Sequence, residues 1–215
     1  MRRLLRFSLI SISLLTSAFA GEYNTALNIG DKAPVWTALP GTDGKQHGVD
    51  EFKDKELLVV IFTCNSCPVA TDYEDRIIDF CKKYGGEKGK VGVVAINVNK
   101  VKADLLPAMT QRAKDKKYPF PYLFDESQKI AKDFGATFTP EFFLLNKDRK
   151  VVYMGGMDDH SDPALAKTHH LVNAVEATLK GEKPPSRRPL PSVAASATPK
   201  NASNDLSETV LLIIT

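Results

Sequence analysis

Residues 57–63 of this chain are an apolar run, Leu-Leu-Val-Val-Ile-Phe-Thr, and the next five residues are Cys64-Asn65-Ser66-Cys67-Pro68. No other feature constrains the fold as tightly. A strand that is apolar on both faces belongs in the centre of a sheet covered by helices on each side. Proline is favoured at the first position of a helix, so the chain passes from strand into helix with two thiols at the junction. Two cysteines separated by two residues are close enough to form a tight disulfide. The partial positive charge of a helix N-terminus stabilises a thiolate there. This is the arrangement of a dithiol redox site.

The rest of the chain supplies the remaining layers. Residues 30–56 read as short extended pieces around Asp43-Gly44, a strong hairpin signal. From Pro68 the spacing of Ile77, Ile78, Phe80 and Cys81 predicts a helix to Tyr84, closed by Gly85-Gly86. A second buried strand is expected over 91–98, a polar-rich helix over 101–116, a short strand over 122–124 and a helix over 127–134. Strands over 141–145 and 150–154 are joined by a tight turn, and a last helix is expected over 163–179. Alternating strands and helices give an α/β fold. The hairpin at its end makes the central sheet mixed, and the first extended pieces form an N-terminal hairpin extension.

Of the 29 basic residues, Arg2, Arg3 and Arg6 fall in the first twenty positions, which hold no acid; the others balance the 26 acidic residues. Nothing in this balance points to nucleic acid or an anionic membrane surface. Residues 1–20 resemble a secretory signal, with the arginines first, an apolar stretch from Phe7 to Leu15, and Ala18-Phe19-Ala20 as a cleavage site. The apolar stretch is shorter than the roughly 20 residues needed to span a bilayer. The mature chain is therefore expected to start at Gly21 in an oxidising periplasmic or extracellular space, without stable membrane insertion. The domain is expected over 21–185. Residues 186–215, rich in Ala, Ser, Thr, Pro and Asn, are expected to be a disordered tail.

Cys64 is expected to be the nucleophile at the helix N-terminus and Cys67 the resolving thiol. Cys81 lies fourteen residues beyond Cys67, roughly 21 Å along a helix at about 1.5 Å per residue. A disulfide needs Cα atoms within about 7 Å, so Cys81 is expected to be a buried, inert thiol. A static Cys64–Cys67 disulfide is the bland alternative. Zinc fits poorly, because a closed site takes about four ligands and there is no second cysteine pair. His47, His160, His169 and His170 show no ligand spacing, and His169 and His170 are expected on the surface of the last helix. No resident metal or cofactor is expected.

FTCNSCPVATDYEDR (62–76), the APxW start at 33–36, FTP at 138–140 and the GGMDDHSDP loop at 155–163 together resemble the redoxin family of thioredoxin-like proteins. That family is related to the alkyl hydroperoxide reductase/thiol-specific antioxidant group and to exported thioredoxins of cytochrome-c maturation. The resemblance runs from about Gly30 to Gly181 and implies a thioredoxin-like fold. It also implies that Pro140 is cis and faces the dithiol, and that the Thr139 backbone pairs with a bound substrate chain.

Three departures stand out. No acid lies within 57–63, where thioredoxins bury an Asp that takes the resolving thiol's proton; Asp72 and Glu74 are the candidates nearby. The peroxidase pattern Pro-x-x-x-Thr-x-x-Cys is absent. The C-terminal tail carries no cysteine.

The resemblance therefore implies an exported thiol–disulfide oxidoreductase working as a monomer on protein disulfides or with a dithiol reductant partner. Two alternatives stand beside it: a thiol peroxidase, and a non-enzymatic copper-binding adaptor using both cysteines with His160 as a third ligand.

Overall fold

The computed structural model describes residues 24–185. The expected signal segment and tail lie outside them. The chain opens with a hairpin, β1 (Leu39–Pro40) and β2 (Gln46–His47), turned at Asp43-Gly44, where Gly44 takes φ +80°. There follow β3 (Leu57–Phe62), α1 (Pro68–Tyr84), β4 (Val91–Asn97), α2 (Leu106–Lys116), β5 (Tyr122–Phe124) and α3 (Lys129–Phe134). The hairpin strands β6 (Glu141–Leu145) and β7 (Val151–Gly155), then α4 (His170–Leu179), complete the fold.

The main sheet has the order β5-β4-β3-β6-β7. β3, β4 and β5 run parallel, while β6 is antiparallel to both β3 and β7. The central strand is the apolar run, and all six of its residues are buried. Its side chains alternate between two cores. Leu57, Val59 and Ile61 pack with Tyr73, Ile77 and Phe80 of α1, Met109 of α2 and Leu171, Ala174 and Val175 of α4. Leu58, Val60 and Phe62 pack on the other face with Phe134 of α3. This is the mixed sheet between helical layers that the sequence implied, in a thioredoxin-like fold.

The N-terminal segment completes the thinner layer. The six residues of α3 cannot cover a five-stranded sheet, and Leu27, Ala33, Trp36, Val49 and Phe52 fill that face. The segment also covers both sheet edges. The Gly30 N–H donates to Val151 O at 2.7 Å and the Ala33 N–H to Arg149 O at 2.9 Å along β7, while the Thr42 N–H donates to Tyr122 O at 3.0 Å along β5. Covered edges leave few backbone groups to template association.

Three expected boundaries moved, each for a local reason. The helix expected over 101–116 splits into a 3-10 turn at Lys102–Asp104 and α2, because the Pro107 ring would clash with a carbonyl four residues back in a continuous helix. The helix expected over 127–134 starts at Lys129. Asp125 takes the Ser127 and Ile130 N–H groups at 3.0 and 2.8 Å, and Gln128 adopts φ +61°. The last helix starts at His170 rather than 163. Asp159 accepts the Lys167 N–H and Asp162 the Ala164 N–H, diverting donors that a helix would use.

Candidate active site

The parallel strands β3 and β4 end side by side and deliver their following loops to one edge of the sheet, where β6 begins. Cys64 and Cys67 lie on the loop after β3, Asp104 on the loop after β4, and Thr139-Pro140 immediately before β6. Cys64 Sγ lies 3.5 Å from Thr139 Oγ1, and the Cys67 thiol lies 3.6 Å from the Thr139 carbonyl oxygen. The Thr139–Pro140 peptide bond is cis. The four expected site residues therefore meet at one place. All three cysteines are free thiols, and Cys81 stands apart, buried beside Pro119 O at 3.5 Å.

The two thiols are not equivalent. Pro68 has no N–H to give and starts α1, so Cys67 becomes its N-cap. Cys64, three residues earlier, is only 4% exposed, while Cys67 is half-buried. A hydrogen bond from the Cys64 thiol lowers the Cys67 pKa to about 5 despite burial, and the first-turn N–H groups of Ala70 and Val69 add to this. Giving that bond, together with burial and the negative charge of Asp104, pushes Cys64 up. Cys67 is the more accessible of the two thiols, and these contacts favour its anion.

Asp104 is the residue that sequence reasoning missed. Its side chain is fully buried. Oδ1 accepts the Asn65 N–H at 2.6 Å and the Ser66 N–H at 3.0 Å; Oδ2 accepts the Ser66 hydroxyl at 2.5 Å and the Asn99 amide at 3.2 Å. Four donors thus converge on the two oxygens of this one side chain. Asn97, buried at the end of β4, fixes this loop by donating to the Asp104 carbonyl at 2.7 Å. Asn65 in turn donates to Ala103 O at 2.8 Å and accepts the Tyr122 hydroxyl at 3.1 Å. On the other side, Glu141 Oε2 accepts the Thr137 N–H at 2.8 Å and shapes the approach to the cis-proline.

The acids expected from proximity in sequence do other work. Asp72 is exposed. Burial opposes ionisation of Glu74, but Arg112, Tyr118 and Lys116 outweigh it, and the carboxylate ties α1 to α2. His160 holds its own loop, with Nδ1 accepting the Asp162 N–H at 2.9 Å and its carbonyl accepting Arg76 and the Tyr73 hydroxyl. His169 bonds Asp158 at 2.7 Å. Among the described residues no cluster of three or more His, Cys, Asp or Glu side chains could hold a metal ion.

Residues 28–169 match the Redoxin family model. The chain belongs to the Redoxin family. Solved structures agree. An uncharacterized conserved protein from Geobacillus kaustophilus is 32% identical, with a TM-score of 0.69 over 75% of this chain and 87% of that one. A hypothetical protein from Sinorhizobium meliloti is 34% identical, with a TM-score of 0.70 over 77% and 91%. At 20% identity, the C-terminal domain of a Bacteroides thetaiotaomicron protein named for thiol–disulfide oxidoreductase activity shares the fold, with a TM-score of 0.56 over 72% and 97%. No curated protein matches. Family and fold give this redoxin a redox role. No described helix is long and apolar enough to cross a membrane.

Proposed function

We propose that this redoxin is an exported thiol–disulfide oxidoreductase that uses Cys64 and Cys67 on protein disulfides, with a dithiol partner restoring its reduced state. The observation that carries the reading is the convergence of two inequivalent thiols on the Thr139-Pro140 backbone: Cys67, half-buried at the N-cap of α1, and Cys64, buried beside the Thr139 hydroxyl. A thiolate attacks a substrate disulfide, and the neighbouring thiol then displaces the bound half. Val101 and Leu105, exposed on the loop that touches Asn65, suit an apolar polypeptide segment as substrate. Export rests on the sequence of residues 1–20, with cleavage after Ala20.

The test compares three activities of the reduced protein lacking residues 1–20. Reduction of insulin disulfides, lost in Cys67→Ser, is the expected result. Peroxide consumption without disulfide reduction would assign a peroxidase instead, and stoichiometric copper binding without either activity would assign an adaptor.

A further inference from the structure

We propose that the loop between β4 and α2 selects the substrate: Lys100 and Lys102, set around Val101 and Leu105, favour disulfides in polypeptide segments that are acidic and apolar beside the cysteine. The proposal rests on the oxidoreductase reading and deepens it by naming the substrate class. Among the described residues five large apolar side chains are exposed: Ile29, Val35, Val101, Leu105 and Leu165. Single exposed apolar residues are ordinary on a protein surface. Here two of the five fall on one short loop against the dithiol, Val101 at 54% and Leu105 at 38% exposure.

The loop is fastened to the segment that carries the thiols. Asn65, between the two cysteines, donates its side-chain amide to Ala103 O at 2.8 Å. Asp104 accepts the Asn65 and Ser66 N–H groups at 2.6 and 3.0 Å. The Asp104 N–H closes a turn on Val101 O at 2.8 Å, and Asn97 donates to the Asp104 carbonyl at 2.7 Å. With Asp104 drawn inward, Lys100, Val101, Lys102 and Leu105 remain on the outside. A surface already held in place loses little conformational freedom when a partner lands on it.

Charge is segregated onto the same side. Residues 99–117 carry six Lys or Arg against Asp104 and Asp115, a net +4, although the chain beyond residue 20 balances as a whole. Within that stretch Arg112 and Lys116 are engaged with Glu74 and Asp75. Lys100 and Lys102 stand exposed at the end nearest the dithiol. On the other flank, beyond β6, the loop after β7 lies closer to balance. There Asp158 is tied to Arg76 and His169, and Asp159 and Asp162 stand against Lys167. Complementary charge at a rim speeds encounter and rejects wrong partners more than it adds affinity. The apolar pair therefore supplies contact, and the lysines supply choice.

Two disulfide-linked peptide dimers test this. Both carry leucine beside the cysteine; one has two glutamates next to it, the other two lysines. Each is mixed with the reduced protein at neutral pH and low salt. Its rate is divided by its rate with dithiothreitol, which removes the peptides' own difference in reactivity. The glutamate peptide is expected to be reduced about fivefold or more faster, the scale of two exposed charge pairs, and the preference shrinks at high salt. In the double variant Lys100→Glu, Lys102→Glu the preference is expected to reverse. The double variant Lys88→Glu, Lys147→Glu, with the same net charge altered at the opposite edge of the sheet, keeps it. Val101→Ser is expected to slow both peptides about threefold through lost apolar contact and to leave their ratio alone.

The ratio isolates selection, because a change in thiol ionisation would slow both peptides alike. A ratio near one in the unaltered protein, or one that the loop variant leaves in place, overturns the proposal and spares the oxidoreductase reading. A shift as large from the distant pair overturns it equally, and unchanged rates in Val101→Ser overturn its apolar part. Reduction of neither peptide removes the oxidoreductase reading and the proposal together.

Discussion

Alkylation of the reduced protein tests which thiol attacks. Cys67 titrates at about 5 because the Cys64 thiol and the first turn of α1 stabilise its anion. At pH 6 such a thiol is about 90% ionised, against about 0.3% for one at the ordinary value near 8.5, a roughly 300-fold advantage. A less basic thiolate is intrinsically slower, by about 25- to 60-fold over this interval for a Brønsted coefficient of about 0.4–0.5. Net labelling at Cys67 is therefore expected to exceed that of an ordinary thiol by about tenfold at pH 6. Cys64, pushed the other way, labels far more slowly. Cleavage after Lys55 and Arg76 gives one peptide containing both cysteines, and fragmentation locates the single iodoacetamide adduct. Cys64→Ala removes the donated hydrogen bond and moves the Cys67 inflection back toward the ordinary thiol range. Faster labelling at Cys64, or no inflection below pH 7, refutes the assignment.

Phe134 is fully buried and meets Phe62 and Phe143 edge-on at 5.4 and 5.0 Å. Phe134→Ala is expected to cost about 3–5 kcal/mol in urea unfolding, because six-residue α3 has little else to fill the space; a loss below about 1 kcal/mol contradicts this packing. Burial opposes charge on His47, but hydrogen bonds to Asp43 at 2.9 Å and Glu51 at 2.8 Å outweigh it and raise its pKa. That contribution to stability is complete below the unfolded value near 6.5 and is lost as pH rises through the higher folded value. The melting temperature of His47→Gln therefore falls furthest behind the unaltered protein in acid, and a gap that widens toward alkaline pH reverses the sign. A chain ended at Arg188 is expected to keep both its melting temperature and its disulfide reductase rate. A drop of several degrees would place the tail within the domain.

The central elements were legible because two strong local signals agreed. The apolar run 57–62 could only be a central strand, and Pro68 fixed where α1 begins. The Asp-Gly turn, the strand at 141–145 and the apolar spacing of α1 were equally local. Cys64, Cys67, Thr139 and Pro140 were readable because the thiols bracket a strand–helix junction and the family places a cis-proline opposite. Asp104 was hidden for a physical reason. A helix running through 101–116 would have carried it outward, and only the break ahead of Pro107 turns its loop toward the cysteines. The usable signal was topological. Parallel neighbouring strands end at one edge, so the polar residues Asn97, Asn99 and Asp104 after the second had to lie beside the thiols of the first. The helix start was read correctly, and a helix beginning at Pro68 makes Cys67 its cap.

The most direct measurement is stoichiometric. Fully reduced protein without residues 1–20 is mixed with insulin, and the products are mapped without reduction. One Cys64–Cys67 disulfide is expected per insulin disulfide reduced, with Cys81 still free and no peroxide required. Insulin disulfides left intact, or a bridge that includes Cys81, would contradict the account.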